Sequence, residues 1–371
     1  MKFTANSIEL QRTLNKLGGV IPTKSTMPIL ENILFEMVND ILTVTATDLA
    51  ISLTITLRVK GLEDGKIAIP AKRLMDTIRS LPDTSAAFAA DATTNKVKIT
   101  TENGEYGLTG ESAKEFPVIS SFKGTNEITM DSVSLKRIIH RTAFAVSTDE
   151  LRPAMMGVLL QAMGSELRAV STDGHRLVKV MHKTTKPMVL KKDIVIPAKA
   201  LIVIGKSIDE GESTISINDT HVKFAFDSSF LVSRLIDESY PNYESVIPVD
   251  NNRVMSVSRD ETISSIRRVA LYASATTHQV RFDITKGSLK ITAQDIDFGG
   301  EAKETLSCSY SDDDMEIGFN ATYLIDILTH LDTEQVMFKF SSPTRAGIIS
   351  PVGASDQEEV LMLVMPVRLN A

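Results

Sequence analysis

The stretch Ser171-Thr172-Asp173-Gly174-His175-Arg176-Leu177 contains the residue types that are most often found in active sites. Ser, His and Asp supply the nucleophile, the base and the orienting acid of many hydrolases, so a hydrolase that uses His175 is one interpretation. The three residues are adjacent in sequence, whereas the members of a catalytic triad normally come from separate segments. A second observation is therefore needed before catalysis can be assigned.

Two related stretches elsewhere in the chain supply that observation. Thr47-Asp48-Leu49-Ala50-Ile51 lies 125 positions earlier, and Gln294-Asp295-Ile296-Asp297-Phe298 lies 122 positions later. Only the Asp recurs in all three, which predicts a structural role such as accepting hydrogen bonds from the amides of a turn. Gly174-His175-Arg176-Leu177 is peculiar to the second stretch and indicates a site that only this part of the chain has.

Other candidate sites lack the neighbours that their chemistry requires. Asp312-Asp313-Asp314 has no glycine-bearing calcium-loop spacing around it, so we interpret it as an acidic loop. Cys308 is the only cysteine and has no partner motif, which predicts an unreactive thiol. The six His residues are scattered, and no Walker loop, GxGxxG or HExxH motif occurs. We therefore expect no catalytic residue, no metal and no cofactor.

Internal similarity divides the chain into three parts. Ile69-Pro70-Ala71-Lys72 returns as Ile196-Pro197-Ala198-Lys199, 127 positions later, and Gly318-Phe319-Asn320-Ala321 occupies the third equivalent place. A spacing near 125 residues is the size of a domain rather than of a solenoid repeat. We therefore predict three tandem copies of one fold, at 1–125, 126–251 and 252–371.

Each copy is predicted to be an α+β domain with two helices on a mostly antiparallel sheet. The first helices are expected at 7–18, 132–147 and 259–273, and the second at 71–81, 198–208 and 320–331. Alternating apolar and polar residues, as at 51–57, predict the strands. Pro70 and Pro197 stand where proline is tolerated, at the start of a helix.

Charge is sorted between the helices and the rest of the chain. The net charge is −7, which argues against a general nucleic-acid binder, yet the six predicted helices carry +8 and the remainder −15. Lys136, Arg137, His140 and Arg141 are expected on one side of a helix. Such a surface would attract phosphates without reading sequence, although ordinary solvated helix faces remain the alternative.

Both ends of the chain are informative. The first residues lack the apolar core of a signal peptide, and no apolar run approaches the ~20 residues of a membrane span, so we expect a cytoplasmic protein with no membrane partner. Residues 360–364 are predicted to form a final core strand, which Pro366 ends. The apolar tail beyond Met365 could wall a groove of the kind that binds peptides.

These motifs together resemble the bacterial DNA polymerase III beta sliding clamp family. The most specific are the stretch 171–177, the Ile-Pro-Ala-Lys repeats, Met315-Glu316-Ile317-Gly318-Phe319-Asn320 and Met365-Pro366-Val367-Arg368-Leu369. The resemblance covers essentially the whole chain. It implies a homodimeric, head-to-tail ring of clamp domains with helices lining the hole. Such a ring encircles duplex DNA and is not an enzyme.

The resemblance also implies partners and a pocket. The partners are double-stranded DNA, a second copy of the chain, the DNA polymerase III alpha subunit, the clamp loader complex, other clamp-binding polymerases and mismatch-repair proteins. The peptide-binding pocket is expected between the second and third domains. Its residues here are Met155, Thr172, Gly174, His175, Arg176, Leu177, Pro241, Val246, Asn320, Tyr323, Leu363, Met365, Pro366, Val367 and Arg368. Glu244 and Ser245 stand where the family can have basic residues.

Two further surfaces are implied, one for DNA and one for the second subunit. The family's DNA contacts correspond to Lys24, Arg73 and the loop 147–152, which here is acidic and lacks aromatic residues. To these the helix charges add Lys136, Arg137, Arg141 and Lys199. The subunit interface is expected to join Tyr106 and Leu108 of one chain to Leu271, Tyr272, Glu301 and Glu304 of the other. A protein-only interaction scaffold is the alternative function.

Overall fold

A computed structural model describes residues 1–117, 122–190, 192–353 and 357–369. Six α-helices lie in these residues: α1 (Ser7–Leu17), α2 (Ala71–Ser80), α3 (Ser132–Thr142), α4 (Ala198–Ser207), α5 (Arg259–Val269) and α6 (Ala321–Thr329). All six helices begin within one residue of the predicted start. The helices α3 and α5 end earlier than predicted, because a short 3-10 helix replaces their last turn, at Ala143–Ala145 and at Ala270–Tyr272.

The strands follow the three predicted copies. The first copy contains β1 (Lys2–Asn6), β2 (Asn32–Val38), β3 (Ile41–Thr47), β4 (Ile51–Arg58), β5 (Lys60–Glu63), β6 (Gly65–Pro70), β7 (Ser85–Asp91), β8 (Lys96–Thr101) and β9 (Gly104–Thr109). The second contains β10 (Asn126–Asp131), β11 (Gly157–Thr172), β12 (Arg176–Val189), β13 (Ile194–Pro197), β14 (Glu212–Ile217), β15 (His221–Phe226) and β16 (Ser229–Arg234). The third contains β17 (Arg253–Ser258), β18 (Gln279–Thr285), β19 (Ser288–Asp295), β20 (Gly300–Ser307), β21 (Met315–Asn320), β22 (Gln335–Phe340), β23 (Gly347–Pro351) and β24 (Glu358–Val364).

The repeated Ile-Pro-Ala-Lys motif marks a strand that leads directly into a helix. Strands β6 and β13 end at Pro70 and Pro197, and α2 and α4 begin at the next residue. In the third copy β21 ends at Asn320, whose side chain accepts hydrogen bonds from the amides of Thr322 and Tyr323. Asn is a strong helix N-cap, so it replaces proline at this junction without loss of the helix start.

The chain folds as two compact units. Unit 1 contains Met1–Lys136 and Lys199–Leu235, and unit 2 contains Arg137–Ala198 and Ile236–Ala371. Unit 1 has a five-stranded sheet in the order β5-β1-β7-β8-β9 and an eight-stranded sheet in the order β10-β14-β15-β16-β4-β3-β2-β6. Unit 2 has a seven-stranded sheet in the order β13-β11-β12-β24-β23-β22-β17 and a four-stranded sheet in the order β20-β19-β18-β21. The second copy therefore contributes to both units.

The two large sheets cross the junctions between copies in the same way. In unit 1, β16 pairs antiparallel with β4, and Phe230 lies opposite Thr54. In unit 2, β24 pairs antiparallel with β12, and Leu363 lies opposite Leu177. Each junction thus joins the last strand of one copy to the strand that follows the Asp-containing turn of the preceding copy. The equivalent strands that remain, β9 and β20, are edge strands of their sheets.

The chain has no tryptophan, and the cores of the two units are built mainly from Leu, Ile and Val, with pairs of phenylalanine rings among them. In unit 1, Phe3 and Phe88 stack with ring centroids 4.7 Å apart. In unit 2, Phe282 meets Phe319 edge to face at 5.6 Å. No helix in the described ranges is long and apolar enough to cross a membrane.

Candidate functional site

The Asp that recurs in all three copies holds a turn of the same design. Its Oδ1 accepts hydrogen bonds from the amides two and three residues later, at 3.0 and 2.8 Å for Asp48, 2.8 and 2.9 Å for Asp173, and 3.0 and 3.2 Å for Asp295. The structural role predicted for the recurring Asp is confirmed. The residues between these bonds are free to differ, and they do differ in each copy.

In the second copy the turn positions Arg176. Its Nε donates to Asp173 Oδ2 at 3.0 Å, its Nη1 to Asp326 Oδ2 at 2.6 Å, and its Nη2 to the carbonyl of Phe144 at 3.1 Å. The guanidinium lies between two rings, 5.1 Å from the centre of Phe144 and 4.9 Å from that of Tyr323. Because two carboxylates and two aromatic faces surround it, Arg176 is fixed in position and its charge is compensated.

Arg176 is one member of a longer stack of planar groups in unit 2. We call His140, His330, Phe144, Arg176, Tyr323 and His175 the stacked column. His140 lies 4.5 Å from His330, and His330 lies 3.8 Å from Phe144 at an interplanar angle of 10°. At the other end Tyr323 stacks on His175 at 5.7 Å. The column therefore runs from an exposed residue of α3 to the turn at Gly174-His175.

Burial changes the titration of two members of the column. Burial raises the pKa of Tyr323, and the nearby Asp173 carboxylate adds to the rise, so this phenol stays protonated at neutral pH. Burial lowers the pKa of His330, although the hydrogen bond to the Asp326 carbonyl works in the opposite direction. His330 is therefore neutral near pH 7. Its Nδ1 lies 2.7 Å from that carbonyl, which can only accept, so Nδ1 carries the hydrogen.

Apolar residues form the floor beside this turn. Leu177 and Leu363 belong to a buried cluster that also contains Val170 and Tyr243, and Tyr240 packs against it. Met155 lies close to Gly174, since a Cβ on Gly174 would stand 3.7 Å from the Met155 Cε. Pro241 and Val246 are exposed near Tyr243 in sequence. These predicted pocket residues thus form a buried base with a more exposed edge.

The C-terminal tail is anchored to the turn and to β21. The amide of Met365 donates to the His175 carbonyl at 2.8 Å, and that of Val367 donates to the Gly318 carbonyl at 2.8 Å. A Cβ on Gly318 would stand only 2.7 Å from the Val367 carbonyl oxygen, so glycine permits this approach. Met365 and Arg368 are exposed, whereas Pro366 is half-buried.

The structure therefore places the predicted pocket residues of turn, tail and α6 around one region of unit 2. Thr172 is buried, and its hydroxyl donates to the Arg176 carbonyl at 2.7 Å, which braces the turn. Asn320 caps the helix that carries Tyr323 and Asp326. An aromatic and cationic wall, a Leu-rich floor and a flexible Met side chain are suited to hold apolar side chains of a peptide.

An ion cluster in unit 2 corrects one sequence-based prediction. The Arg141 side chain is only 6% exposed and bonds to Glu358 at 2.5 Å and to Asp332 at 2.7 Å. Arg137 also donates to Glu358, at 2.7–3.0 Å. The prediction that Arg141 contacts DNA is wrong, because the side chain is buried and its charge is already paired. Arg137 is partly exposed, so only part of its charge reaches solvent.

Burial alone would raise the pKa of Glu358, whose side chain is 4% exposed. The hydrogen bond from His182 and the charges of Arg137 and Arg141 outweigh it and lower the pKa to about 2. Glu358 is therefore ionised at neutral pH. The cluster ties the C-terminal half of α3 to β24 and β12 within unit 2.

Comparison with known proteins identifies the family. Family models of the DNA polymerase III beta subunit match with the N-terminal domain at residues 1–120, the central domain at 129–242 and the C-terminal domain at 244–368. The beta sliding clamp of Chlamydia muridarum is 31% identical over 371 residues, which are all of both chains. The chain belongs to the DNA polymerase III beta subunit family. The beta sliding clamp of Pseudomonas putida is 29% identical, again over the full length of both chains.

Solved clamp structures agree with this family assignment. The sliding clamp of Pseudomonas aeruginosa bound to griselimycin superposes with a TM-score of 0.91 at 28% identity, and the clamp of Bacillus subtilis with 0.90 at 26%. Both comparisons cover the whole of each chain. The α+β fold of three clamp domains with antiparallel sheets, predicted from the repeats, is confirmed.

The remaining basic residues predicted for DNA lie on different parts of the beta-family chain. Lys24, Arg73 and Lys136 are exposed. Lys199 is half exposed, and its Nζ lies 2.5 Å from Asp48 Oδ2, so its charge is shared with a carboxylate. The acidic loop after Ser147 is closed by an ion pair between Arg152 and Asp149 at 2.8 Å, and it leaves Leu151 almost fully exposed.

The residues predicted for the subunit interface lie on and beside the two edge strands. Tyr106 and Leu108 are in β9, where Tyr106 is exposed and Leu108 is buried. Glu301 and Glu304 are in β20, and Glu304 accepts two hydrogen bonds from Arg268 at 2.6 Å, which lower its pKa. Leu271 and Tyr272 are exposed in the 3-10 helix that follows α5.

Sequence reasoning missed several residues of these sites. Phe144, Asp326 and His330 complete the surroundings of Arg176, yet none carries a motif that would have revealed it. Ile296 and Phe298 are 79% and 89% exposed in the third Asp turn, next to β20. The sequence did contain a signal for Ile296 and Phe298, because large apolar residues are unusual on both sides of an Asp in a polar turn.

Proposed function

We propose that this protein is the sliding clamp of a bacterial replicative DNA polymerase. Two chains close head to tail into a ring that encircles duplex DNA without reading its sequence. The domains are 1–125, 126–251 and 252–371. The clamp is not an enzyme, and the His175 region binds protein segments rather than substrates. The main support is the repeated junction between copies, together with the family membership of the chain.

The junction geometry supports a head-to-tail dimer. Within the chain the last strand of a copy pairs with the strand after the preceding Asp turn, as β16 does with β4 and β24 with β12. The strands left without this partner are β9 and β20. If β9 of each chain pairs with β20 of the other chain, the two contacts are identical. Every copy in the dimer is then joined to the next copy by the same kind of strand pairing. A heterologous contact that closes after two subunits leaves neither β9 nor β20 as a free edge.

The surfaces beside these two strands are complementary. A groove of about 780 Å³ lies between α2 and β9, and its lining includes Lys72, Arg73, Tyr106 and Leu108. Beside β20, Leu271, Ile296 and Phe298 are exposed next to Asp295 and Asp297. The basic and apolar groove thus matches an acidic and apolar loop. We place Arg73 at this interface as well as near DNA.

The junction inside unit 1 supplies a template for one contact between subunits. Lys199, of the second Ile-Pro-Ala-Lys motif, pairs with Asp48 of the first Asp turn. Lys72 holds the equivalent place in the first motif, and Asp295 holds that of the third turn. Lys72 is therefore expected to pair with Asp295 of the partner subunit. Across an interface such a pair gives specificity and register more than affinity.

Charge reversal tests this contact. Lys72→Glu or Asp295→Lys alone should raise the dimer dissociation constant about tenfold or more in sedimentation experiments, because two like charges then face each other. The double variant should recover most of the loss, since it restores an opposite pair with exchanged signs. Lys60→Glu, an exposed lysine outside the groove, serves as the control. If the double variant instead loses as much affinity as the two single variants added together, Lys72 and Asp295 do not pair across the interface.

DNA contact is proposed through Lys24, Arg73, Lys136 and Lys199, with a smaller contribution from Arg137. Their contacts are to phosphates, so neutralising them should lower retention on DNA at low salt, and the difference from wild type should shrink as the salt concentration rises. The first test is topological. Protein loaded on nicked circular duplex by a clamp loader should survive a high-salt wash and be released when the circle is cut. Loss in the wash before cutting would overturn the ring.

The region around the stacked column is proposed as the docking pocket for partner proteins. The candidates are the DNA polymerase III alpha subunit, the clamp loader complex, other clamp-binding polymerases and mismatch-repair proteins. The support is the fixed Arg176, the Leu177 and Leu363 floor and the anchored tail. His175→Ala should lower binding of the alpha subunit while ring retention on DNA persists.

A protein-only scaffold is the alternative function. It predicts no retention on circular DNA even with a competent loader, together with normal alpha-subunit binding. The same experiments therefore separate the two. A hydrolase would show turnover that His175→Ala abolishes. The Ser171 hydroxyl instead donates to the Thr142 carbonyl at 2.7 Å and is fully buried, which argues against a nucleophile.

A further inference from the structure

The stacked column connects the pocket to a pair of histidines outside it. His330 is the last member before the exposed His140, and neither residue belongs to the predicted pocket. His330 ends α6 as its C-cap, and His140 lies on the last turn of α3. The two rings are 4.5 Å apart. Both residues lie in unit 2, as does every other member of the column.

His330 and Arg176 share two neighbours. Asp326 accepts from His330 through its backbone carbonyl and from Arg176 through its carboxylate. Phe144 stacks on His330 with its ring and accepts from Arg176 with its carbonyl. A displacement of the His330 ring would therefore disturb both Asp326 and Phe144, which each hold Arg176. The pocket's main cation is held partly by a residue that does not line it.

We propose that His330 is a positioning residue for Arg176 in partner binding, and that protonation of His330 weakens that binding. This inference rests on the proposed docking function of the pocket. It adds a residue and a pH dependence that the docking function itself does not require. His330 acts through Asp326 and Phe144 and does not touch the bound segment.

The groups that face His330 explain why binding should weaken as the pH falls. They are His140 from α3, Arg176 from β12 and Asp326 from its own helix. Burial lowers the pKa of His330, and the Coulombic effects of His140 and Arg176 act in the same direction, whereas Asp326 raises it. Because Nδ1 already carries a hydrogen, a second proton must go to Nε2. A charged ring would repel Arg176 and compete with it for Asp326, so the clamp around Arg176 should loosen as the pH falls below neutral.

The test is the pH profile of alpha-subunit binding, measured with the full-length clamp by surface plasmon resonance between pH 7.5 and 6.0. His330→Phe keeps an aromatic ring for stacking but cannot be protonated. We expect the wild-type dissociation constant to rise by up to about threefold over this range, because the lowered pKa of His330 leaves its ring only partly protonated at pH 6.0, and that of His330→Phe to rise clearly less. His140→Gln removes a ring that lowers the pKa of His330, so it should move the wild-type profile to higher pH.

Controls isolate the effect of His330. His175 is present in both proteins, so the difference between the two profiles excludes any contribution from it. His221→Gln, in unit 1, should keep the wild-type profile. His330→Ala, without a ring, should weaken binding at every pH even if it folds normally, as checked by circular dichroism. Identical profiles for wild type and His330→Phe would overturn the inference. Absence of wild-type binding at pH 7.5 would overturn the docking function and the inference with it.

Discussion

Replacement of Glu358 by glutamine tests the buried ion cluster most directly. The side chain keeps its size but loses the charge that faces Arg137, Arg141 and His182. Arg141 then retains the exposed Asp332 as its carboxylate partner within the cluster. A buried guanidinium that loses its main counterion is costly, since its desolvation is no longer offset.

The magnitude follows from the lowered pKa of Glu358. A pKa near 2 instead of 4.5 corresponds to about 3 kcal/mol in favour of the ionised folded form. This agrees with the ~3–5 kcal/mol that breaking a buried pair commonly costs. The expected loss for Glu358→Gln is therefore about 3 kcal/mol in the free energy of unfolding of unit 2.

Urea unfolding followed by circular dichroism measures this loss, and pH gives an independent check. Because the folded pKa is depressed, the stabilisation is fully present above the ordinary carboxyl pKa of 4.5 and is lost as the pH falls towards 2. The wild type should lose this increment in that window, and Glu358→Gln should not.

Glu359→Gln is a matched control, since the neighbouring carboxylate is exposed and its loss should change stability by less than ~0.5 kcal/mol. If Glu358→Gln costs no more than Glu359→Gln, or keeps the acid-dependent loss of the wild type, the account of this cluster is wrong.

Three further substitutions probe the tail, a helix cap and a core. Gly318→Ala should displace the tail at Val367, because its Cβ would stand 2.7 Å from a carbonyl oxygen. Its affinity for the alpha subunit, measured by surface plasmon resonance, should fall at least about tenfold. Gly18→Ala, whose Cβ would meet only ordinary contacts, is the control and should bind normally. Asn6→Ala should cost about 1 kcal/mol in urea unfolding, since two amides of α1 lose their cap. Phe88→Ala should cost about 3–5 kcal/mol in the same assay, because the fully packed ring leaves a cavity.

The helices and the Asp turns could be predicted because local sequence determines them. Apolar periodicity and the strand-to-helix motif predicted all six helices. Comparison of the copies predicted that Asp173 has a structural role. The internal repeat worked as a control that a single copy could not provide. The predicted ends of α3 and α5 were the furthest out, since a 3-10 turn continues the same periodicity, whereas the other four helices end one or two residues before the predicted position.

The environment of individual charges could not be predicted in this way. Arg141 follows Arg137 by one helical turn, and their pattern alone suggested a common exposed face. Their partner Glu358 lies more than 200 positions away in sequence, so only the folded chain reveals the burial. The same holds for the stacked column, whose members come from α3 and the 3-10 helix after it, from the second Asp turn, and from α6 and its C-cap.

The Asp turn makes its middle residues exchangeable. The backbone bonds to Asp48 and Asp173 are the same, and the residue after each has a positive φ, 75° for Leu49 and 92° for Gly174. In both turns the bonds come from the Asp, from the Thr before it and from backbone groups, so the exposed middle residues can be exchanged between copies. Grafting Gly174-His175 in place of Leu49-Ala50, which are both exposed, should preserve the turn and relieve the left-handed strain at Leu49. Duplication of such a turn lets one copy acquire a new surface while the others keep their own.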